Sequence, residues 1–405
     1  MKILVLTSRF PYPLEKGDKL RIFYQIRELH HAGYSISLIS LTEEPIKDID
    51  YQQVKKYCQN IYIFPLSYLS ILKHATVNIL RGVAMPFQVS YFYNTAIKKS
   101  IDHIIEELKP DHIHCHLIRM MPYVLDKKCS KSLDFMDAFG AGTQRRAEIS
   151  KFLVRFFWQK EAQWMLRYEK LAAEHFDFLT VISEQDRLRL PLVEEKPKVS
   201  VVSNGVDVDF FNIENYKNQY QTIEKKYDLC FVGNLGYYSN IEAVRFLVKK
   251  IVPLLKDQKP DIKILLAGAR PTTEIKHFED SNIKVVGWLD DIRQAYAESH
   301  ILVAPLMHGI GQQNKILEAM AMGLPVVTTS RVNNAIGSVA GKDILLADTE
   351  GVFALHILSV LQDIDFQKFI SENGRNFVNQ NFGWTATTKS MVQLLERKIV
   401  QKRPN

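Results

Sequence analysis

Cysteine is scarce in this chain. Cys58, Cys115, Cys129 and Cys230 are scattered, and no two have the close spacing of a zinc or redox motif. That excludes a disulfide framework and points to packing thiols in a reducing, cytoplasmic setting. Long apolar runs are also missing. No stretch reaches 18 apolar residues, so no spanning helix is expected. The opening MKILVLTSRF has the lysine-then-apolar order of a leader, but SRFPYP cuts the run short, and it reads as a first strand. There is no G-K-[ST] loop, and no dinucleotide fingerprint follows the first strand, which weakens ATPase and dehydrogenase readings. Nor does any finger, recognition helix or aromatic-basic strand motif accompany the net charge of +7, so nucleic acid is not expected as a partner. A mild positive excess fits an anionic ligand or an anionic membrane surface.

What is present is an alternating grammar. At 405 residues the chain is long enough for two domains of about 200 residues each. Short apolar runs at 2–8, 35–41, 60–66 and 111–116 read as strands, with helices over 19–33 and 97–110 between them. The second half repeats the pattern. Strands are expected at 227–234, 262–268, 283–289 and 300–306, and in the run PVVTTS. Helices are expected at 239–257, opened by a Ser239/Glu242 capping box, and at 291–299, 315–322 and 351–363. This order predicts an α/β protein built of parallel sheets covered on both faces. Ligands of such sheets sit beyond the carboxyl ends of the strands, so functional residues should follow strands.

The stretch GIGQQNKILEAMAMGLPVV, residues 309–327, meets that condition. Gly309 and Gly311 allow close approach of a ligand to backbone. The helix that follows presents free amides and its positive dipole end, which favour a phosphate or diphosphate. Gln312, Gln313, Asn314 and Lys315 are the polar candidates there. Glu318 lies one turn beyond Asn314, where a carboxylate suits the two vicinal hydroxyls of a ribose. A nucleoside diphosphate satisfies both features, although glycine-rich strand–helix turns are common and Glu318 could equally be a surface residue of its helix. Gly233 and Gly236, in the turn after the strand at 227–234, could let backbone approach the same diphosphate. Gly268, Trp288 and Leu289 lie at further strand ends and could help hold a base, with Trp288 expected more readily in the core.

In the first half, the loop SRFPYPLEKGDKLR follows the first strand. Gly17 would allow close approach, and Lys19 and Arg21 are candidates for polar contacts or plain solvent-facing helix residues. His112, His114 and His116 share one face of a strand. Successive members stand about 7 Å apart, too far for three imidazoles to meet one metal easily, so no metal site is expected. His116, nearest the strand end, is the functional candidate, with Arg119 in the loop beyond. Asp137 could orient a hydroxyl or cap a helix, and Ser183 with Asp186 could form a capping box. The basic aromatic stretches 73–99 and 145–170 could lie in a lipid interface or pack onto their own domain; for either alone, internal packing is slightly favoured.

Several of these segments together resemble the retaining glycosyltransferases of family 4. KILEAMAMGLPVV (315–327), VVSNGVDVDFF (201–211) and FVGNLGYYSNIEAVRFLVKKIVPLL (231–255) carry the resemblance. It is closer still to an exopolysaccharide-associated branch, through PYPLEKGDKLR (11–21), LDFMDAF (133–139), YEKLAAEHFDFLTVISEQD (168–186) and QNKILEAMAM (313–322). The resemblance implies a GT-B fold: two Rossmann-like, doubly wound parallel-sheet domains facing a central cleft. Their expected limits are 1–205 for the acceptor and 206–384 for the donor, with 385–405 as a C-terminal helix crossing back. It implies a nucleoside-diphosphate sugar as substrate, no cofactor and no metal.

The resemblance further implies transfer with retention to a glycan or undecaprenyl-type lipid-linked acceptor, by a monomer or homodimer on the inner face of the cell membrane. His116, Lys315 and Asp137 become the catalytic candidates. Gly17, Gly233, Gly236, Gly268, Trp288, Leu289, Gly311, Gln312, Gln313, Asn314, Lys315 and Glu318 become donor contacts, and Lys19, Arg21 and Arg119 acceptor contacts. Glu318 matches the second of the family's paired glutamates. The first would fall at Ile310, a departure that keeps open the alternative of an inert scaffold binding a glycan or a partner subunit.

Overall fold

The computed structural model describes residues 1–66, 85–192, 198–220, 223–307 and 312–402. Its contacts divide the chain into two units, residues 1–204 with 387–405, and residues 205–386.

The first unit is built on a parallel sheet of seven strands: β1 (Lys2–Thr7), β2 (Ser35–Thr42), β3 (Asn60–Pro65), β4 (His112–His116), β5 (Ser130–Met136), β6 (Phe178–Val181) and β7 (Val199–Val201). Their spatial order is β3-β2-β1-β4-β5-β6-β7. The central strands β4, β5 and β6 are buried along their whole length, and β1 along all but its first residue, as expected of parallel strands covered on both faces. The chain order reverses between β1 and β4, which makes their carboxyl ends the topological switch point of this sheet. Asn94 starts the helix Thr95–Leu108 by accepting from the amides of Ala96 and Ile97, and Ser183 caps the helix Glu184–Arg189 by accepting from Asp186.

The second unit carries β8 (Tyr227–Val232), β9 (Ile264–Ala267), β10 (Ile283–Val286), β11 (Ser299–Ala304), β12 (Val326–Thr328) and β13 (Leu345–Leu346), in the order β10-β9-β8-β11-β12-β13. Every described pairing is parallel. Its switch point lies between β8 and β11. The helix Asn314–Ala321 ends at Gly323, which takes the left-handed conformation (φ 71°) of a helix stop.

Three expectations need correction. The Ser239/Glu242 capping box does not form: the helix starts at Tyr238, putting Ser239 inside its first turn, and it continues as a π-turn over Leu247–Ile251 rather than one regular α-helix. Trp288 is not in the core; it is 70% exposed beyond β10. The aromatic stretch 145–170 is only partly packed inward. Met165 and Tyr168 are buried, but Phe152 is 88% exposed and Phe156 65%, so the first turns of the helix Phe152–His175 present these rings to solvent. The four cysteines are free thiols, and burial pushes those of Cys58 and Cys230 up to about 12.

Candidate functional site

At the switch point of the second sheet, β8 ends in Phe231 and Val232 and turns at Gly233. Backbone crowding is severe here. A Cβ on Gly268 (φ 142°) would lie 1.7 Å from the carbonyl oxygen of Gly233, so the turns after β8 and β9 touch through bare backbone. The β8 turn is braced further by Gly236, whose amide donates to Asn234 Oδ1 at 3.0 Å, and by Leu235, whose amide donates to the carbonyl of Ala269 at 2.8 Å.

Lys315, on the first turn of the helix Asn314–Ala321, reaches this turn. Its Nζ donates to Asn240 Oδ1 at 2.7 Å and lies 4.6 Å from the Phe231 ring centroid. A Cβ on Gly233 would come within 2.8 Å of that Nζ, so glycine there leaves room for the ammonium. The side chain is half-buried, and desolvation pushes its pKa down to about 7 against the opposing pull of Glu318. Glu318 accepts from the Tyr296 hydroxyl at 2.8 Å. Burial holds the Glu318 carboxyl above the usual range, opposed by that hydrogen bond and by Lys315.

The structure thus brings Gly233, Gly236, Gly268, Lys315 and Glu318 together at one strand-end crevice. Gln312, Gln313 and Asn314 are partly exposed at the start of the helix, and Gln313, its N-cap residue, makes no side-chain cap bond. Gly311, with Gly309 and Ile310, lies outside the described residues. Leu289 packs against the core, and Trp288 beyond it is exposed. Arg270, not singled out from the sequence, stands beside the β8 turn with left-handed backbone (φ 57°); a Cβ on Gly236 would lie 3.0 Å from its carbonyl.

The switch point of the first sheet holds a buried ionic cluster. Arg21 donates through Nε to Asp134 Oδ2 at 2.6 Å and through Nη2 to Oδ1 at 3.3 Å, while its Nη1 donates to Asn204 Oδ1 at 2.9 Å. Gln25 and the Met136 amide also donate to Asp134. Both side chains of the pair are fully buried. Asp134 is held well below the usual carboxylate range: burial alone would raise it, and the Arg21 charge with His116 outweighs that. Arg21, named from sequence as an acceptor contact, therefore spends its guanidinium inside the domain. Asp137, beyond the end of β5, is exposed.

His116 pairs in register with Thr7 and with Asp134. Its Nδ1 stands 3.7 Å from Asp134 Oδ2, beyond hydrogen-bond range. Deeper in the sheet, His112 bonds the hydroxyls of Ser130 and Ser132, and His114 bonds Ser132. Those two histidines serve the sheet interior. Among the described residues, no three His, Cys, Asp or Glu side chains are grouped so as to hold a metal ion. Lys19 is partly exposed, Gly17 opens the helix Gly17–His31, and Arg119 lies between the rings of Phe92 and Phe139, 4.9 and 5.6 Å from their centroids.

Residues 226–363 match the family described as Glycosyl transferases group 1. A sucrose-phosphate synthase from Thermosynechococcus elongatus superposes with a TM-score of 0.67 at 17% identity, covering 99% of this chain and all of that one. HepE of Anabaena, solved in complex with UDP and glucose, superposes with a TM-score of 0.64 at 13% identity, covering 97% of this chain and 99% of its own. The chain has the GT-B fold. By sequence, the chain is similar to an uncharacterised 44.6 kDa protein in the cps region of Klebsiella pneumoniae, 24% identical over 94% of this chain and 96% of the relative. An uncharacterised glycosyltransferase of Methanocaldococcus jannaschii is 24% identical over 57% of this chain and 61% of its own length.

The sequence missed Asp134 and Arg270. A charged residue inside the otherwise apolar strand SLDFM was the available signal for Asp134, since an unpaired buried carboxylate is too costly to keep. Arg270 became relevant only when β9 was placed next to β8.

Proposed function

We propose that this protein is a glycosyltransferase moving a sugar from a nucleoside-diphosphate carrier to a glycan or lipid-linked acceptor in cell-surface polysaccharide synthesis. The observation that carries this reading is Lys315: a half-buried cation, opening a helix, held against the glycine turn of β8 at the switch point of a segment matching the glycosyltransferase family. Helix amides and Lys315 would stabilise the diphosphate as the anomeric bond breaks. Glu318 would bind the ribose, with Tyr296 holding its carboxylate. The resemblance to family 4 implies retention of configuration, by front-face attack in which the leaving phosphate takes the incoming hydroxyl's proton. HepE with UDP and glucose shares the fold, and the Klebsiella relative from a cps region fits a polysaccharide role.

The same reading places the protein on the inner face of the cell membrane. The helix Phe152–His175 supports this, because exposed Phe152, Phe156 and Phe157 stand among Arg145, Arg146, Lys151, Arg155 and Lys160. The carboxylates of Glu161 and Glu169 turn inward, accepting from the amides of Phe87, Gln88 and Gly140. Exposed Glu148 lies beside Arg155 and Lys160, but the border remains mostly basic, and an apolar stripe with such a border fits an anionic lipid interface.

The second reading, an inert glycan-binding scaffold, draws on Ile310 where the family has a glutamate. One experiment separates the two: slow release of labelled sugar from nucleotide-sugar donors without acceptor. An active enzyme should release sugar, and Glu318→Ala should slow the release about tenfold or more. Absence of release from every common donor sinks the enzyme reading and leaves the scaffold.

A further inference from the structure

The crevice at the β1–β4 switch point is lined with polar atoms that nothing in the first domain satisfies. Thr7, Ser8 and His116 are 0%, 1% and 2% exposed. Thr7 Oγ1, Ser8 Oγ and both ring nitrogens of His116 make no hydrogen bond. Buried polar groups are nearly always paired, and each orphan costs about 1–3 kcal/mol, so a cluster of them marks a place built for something else. Two arginines flank it. Arg9 follows Ser8 directly, and Arg119 lies three residues beyond His116. The Nε of each is likewise buried without a partner. Arg9 Nη1 is bound by Asp18 at 2.7 Å, whereas Arg119 rests on the faces of Phe92 and Phe139. Both guanidiniums lie within reach of the Asp18 charge, and Glu43 also acts on Arg119. Burial and the nearby Arg9 both hold the Arg119 pKa below its ordinary value, so the two positive charges act on one another. The helix Gly17–His31 begins at the same strand end, and its N-cap residue Lys16 supplies no side-chain cap bond.

These unmatched groups can all donate hydrogen bonds, and the Nε–H groups of two guanidiniums are among them. We propose that the crevice is an anion subsite for the acceptor, in which Arg9, Arg119, Thr7, Ser8 and His116 take a phosphate or carboxylate group. The inference rests on the preceding reading, in which the second domain takes the donor. An oxyanion offers several acceptor oxygens at once, and guanidinium groups bind phosphate and carboxylate as charge-assisted, bidentate pairs. A neutral sugar hydroxyl could satisfy Thr7 or Ser8 but offers too few acceptor oxygens to pair both guanidinium Nε–H groups as well. The group could be the phosphate of a lipid-linked acceptor or the carboxylate of an acidic sugar.

The test uses the full chain and three probes, methyl phosphate, glucuronate and methyl glucoside, with binding read by ligand-detected NMR. UDP affinity is measured separately by calorimetry. At least one anionic probe should bind better than methyl glucoside, and Arg119→Gln should weaken it about tenfold, equivalent to 1.4 kcal/mol. UDP affinity should stay unchanged in that variant. Asp18→Asn should strengthen anion binding severalfold by freeing Arg9, a gain that a misfolded variant cannot produce. Preference for methyl phosphate assigns the subsite to a phosphate-bearing acceptor, and preference for glucuronate to an acidic sugar. Equal binding of the anions to wild type and Arg119→Gln would overturn the inference, as would methyl glucoside matching them. So would displacement of the anionic probe by UDP at UDP's own dissociation constant, which would give the crevice to the donor diphosphate. Failure of every nucleoside diphosphate to bind would instead sink the donor reading, whatever the anionic probes do.

Discussion

Lys315 shows how one side chain can be tuned by where the backbone puts it. Its ammonium is drawn into a crevice walled by Phe231 and the Gly233 turn, with Asn240 as its hydrogen-bond partner. Desolvation brings its pKa down to about 7. A bound diphosphate would favour the charged form, so the pKa in the complex must be higher than in the free protein. Binding above pH 7 therefore takes up a proton. Affinity should be highest near or below pH 7 and fall as pH rises through the free-protein value, by up to about tenfold per unit. Calorimetry with UDP between pH 7 and 9 checks this, above the phosphate's own titration near about pH 6. Proton uptake is read by comparing buffers of different ionisation enthalpy. Lys315→Arg should flatten the profile, because guanidinium stays charged. A wild-type affinity that does not change over this range would place Lys315 away from the phosphates. Lys315 and Glu318 could be singled out from the sequence because a helix fixes their spacing. Asp134 and Arg21 could not be paired that way: they are 113 residues apart, and only the adjacency of β1, β4 and β5 brings them together.

At the scale of elements, strand and helix positions were largely readable, because buried parallel strands are short apolar runs and the helices between them keep their periodicity. The helix Phe152–His175 was harder. Its C-terminal part carries buried Met165, Tyr168 and Ala172, while its first turns expose Phe152, Val154, Phe156 and Phe157. Composition alone does not distinguish an aromatic that packs inward from one that stands free; that depends on which turns of the helix the rest of the domain covers. The exposed end predicts binding to vesicles containing anionic lipid. Affinity should fall with added salt, since the cations are solvent-exposed and screened over about 10 Å at 0.1 M. Phe156→Ser should weaken the binding about tenfold or more by removing an aromatic from the apolar stripe, with UDP affinity unaffected. Sedimentation that is equal for neutral and anionic vesicles would rule out the electrostatic part. Unchanged binding by Phe156→Ser would rule out insertion of this helix end.

At the scale of the whole molecule, the first unit is discontinuous in sequence. Its last segment, residues 387–405, returns after the second unit is complete. The crossing is tightly built on the second unit's side: a Cβ on Gly205 would lie 2.6 Å from the ring of Trp384, and the Val206 amide donates to the carbonyl of Phe382 at 2.7 Å. Beyond it, Thr388, Met391 and Leu395 of the helix Trp384–Lys402 are buried, and Tyr34 Oη meets Glu396 Oε1 at 3.4 Å. The unit that holds the seven-stranded sheet therefore includes residues almost two hundred positions after β7. Leu395→Ala removes a fully buried side chain and should cost about 2–5 kcal/mol, depending on how far the cavity collapses. The loss should be local. Amide exchange should speed up in β1, β4 and β5, and stay unchanged in β8, β9 and β11, because those strands belong to the other unit. UDP binding to the second unit should persist at wild-type affinity when the first has lost part of its stability. Faster exchange spread evenly over both sheets would mean that the two units unfold as one cooperative block, and the segment after Ala386 would then stabilise the whole chain rather than the first sheet.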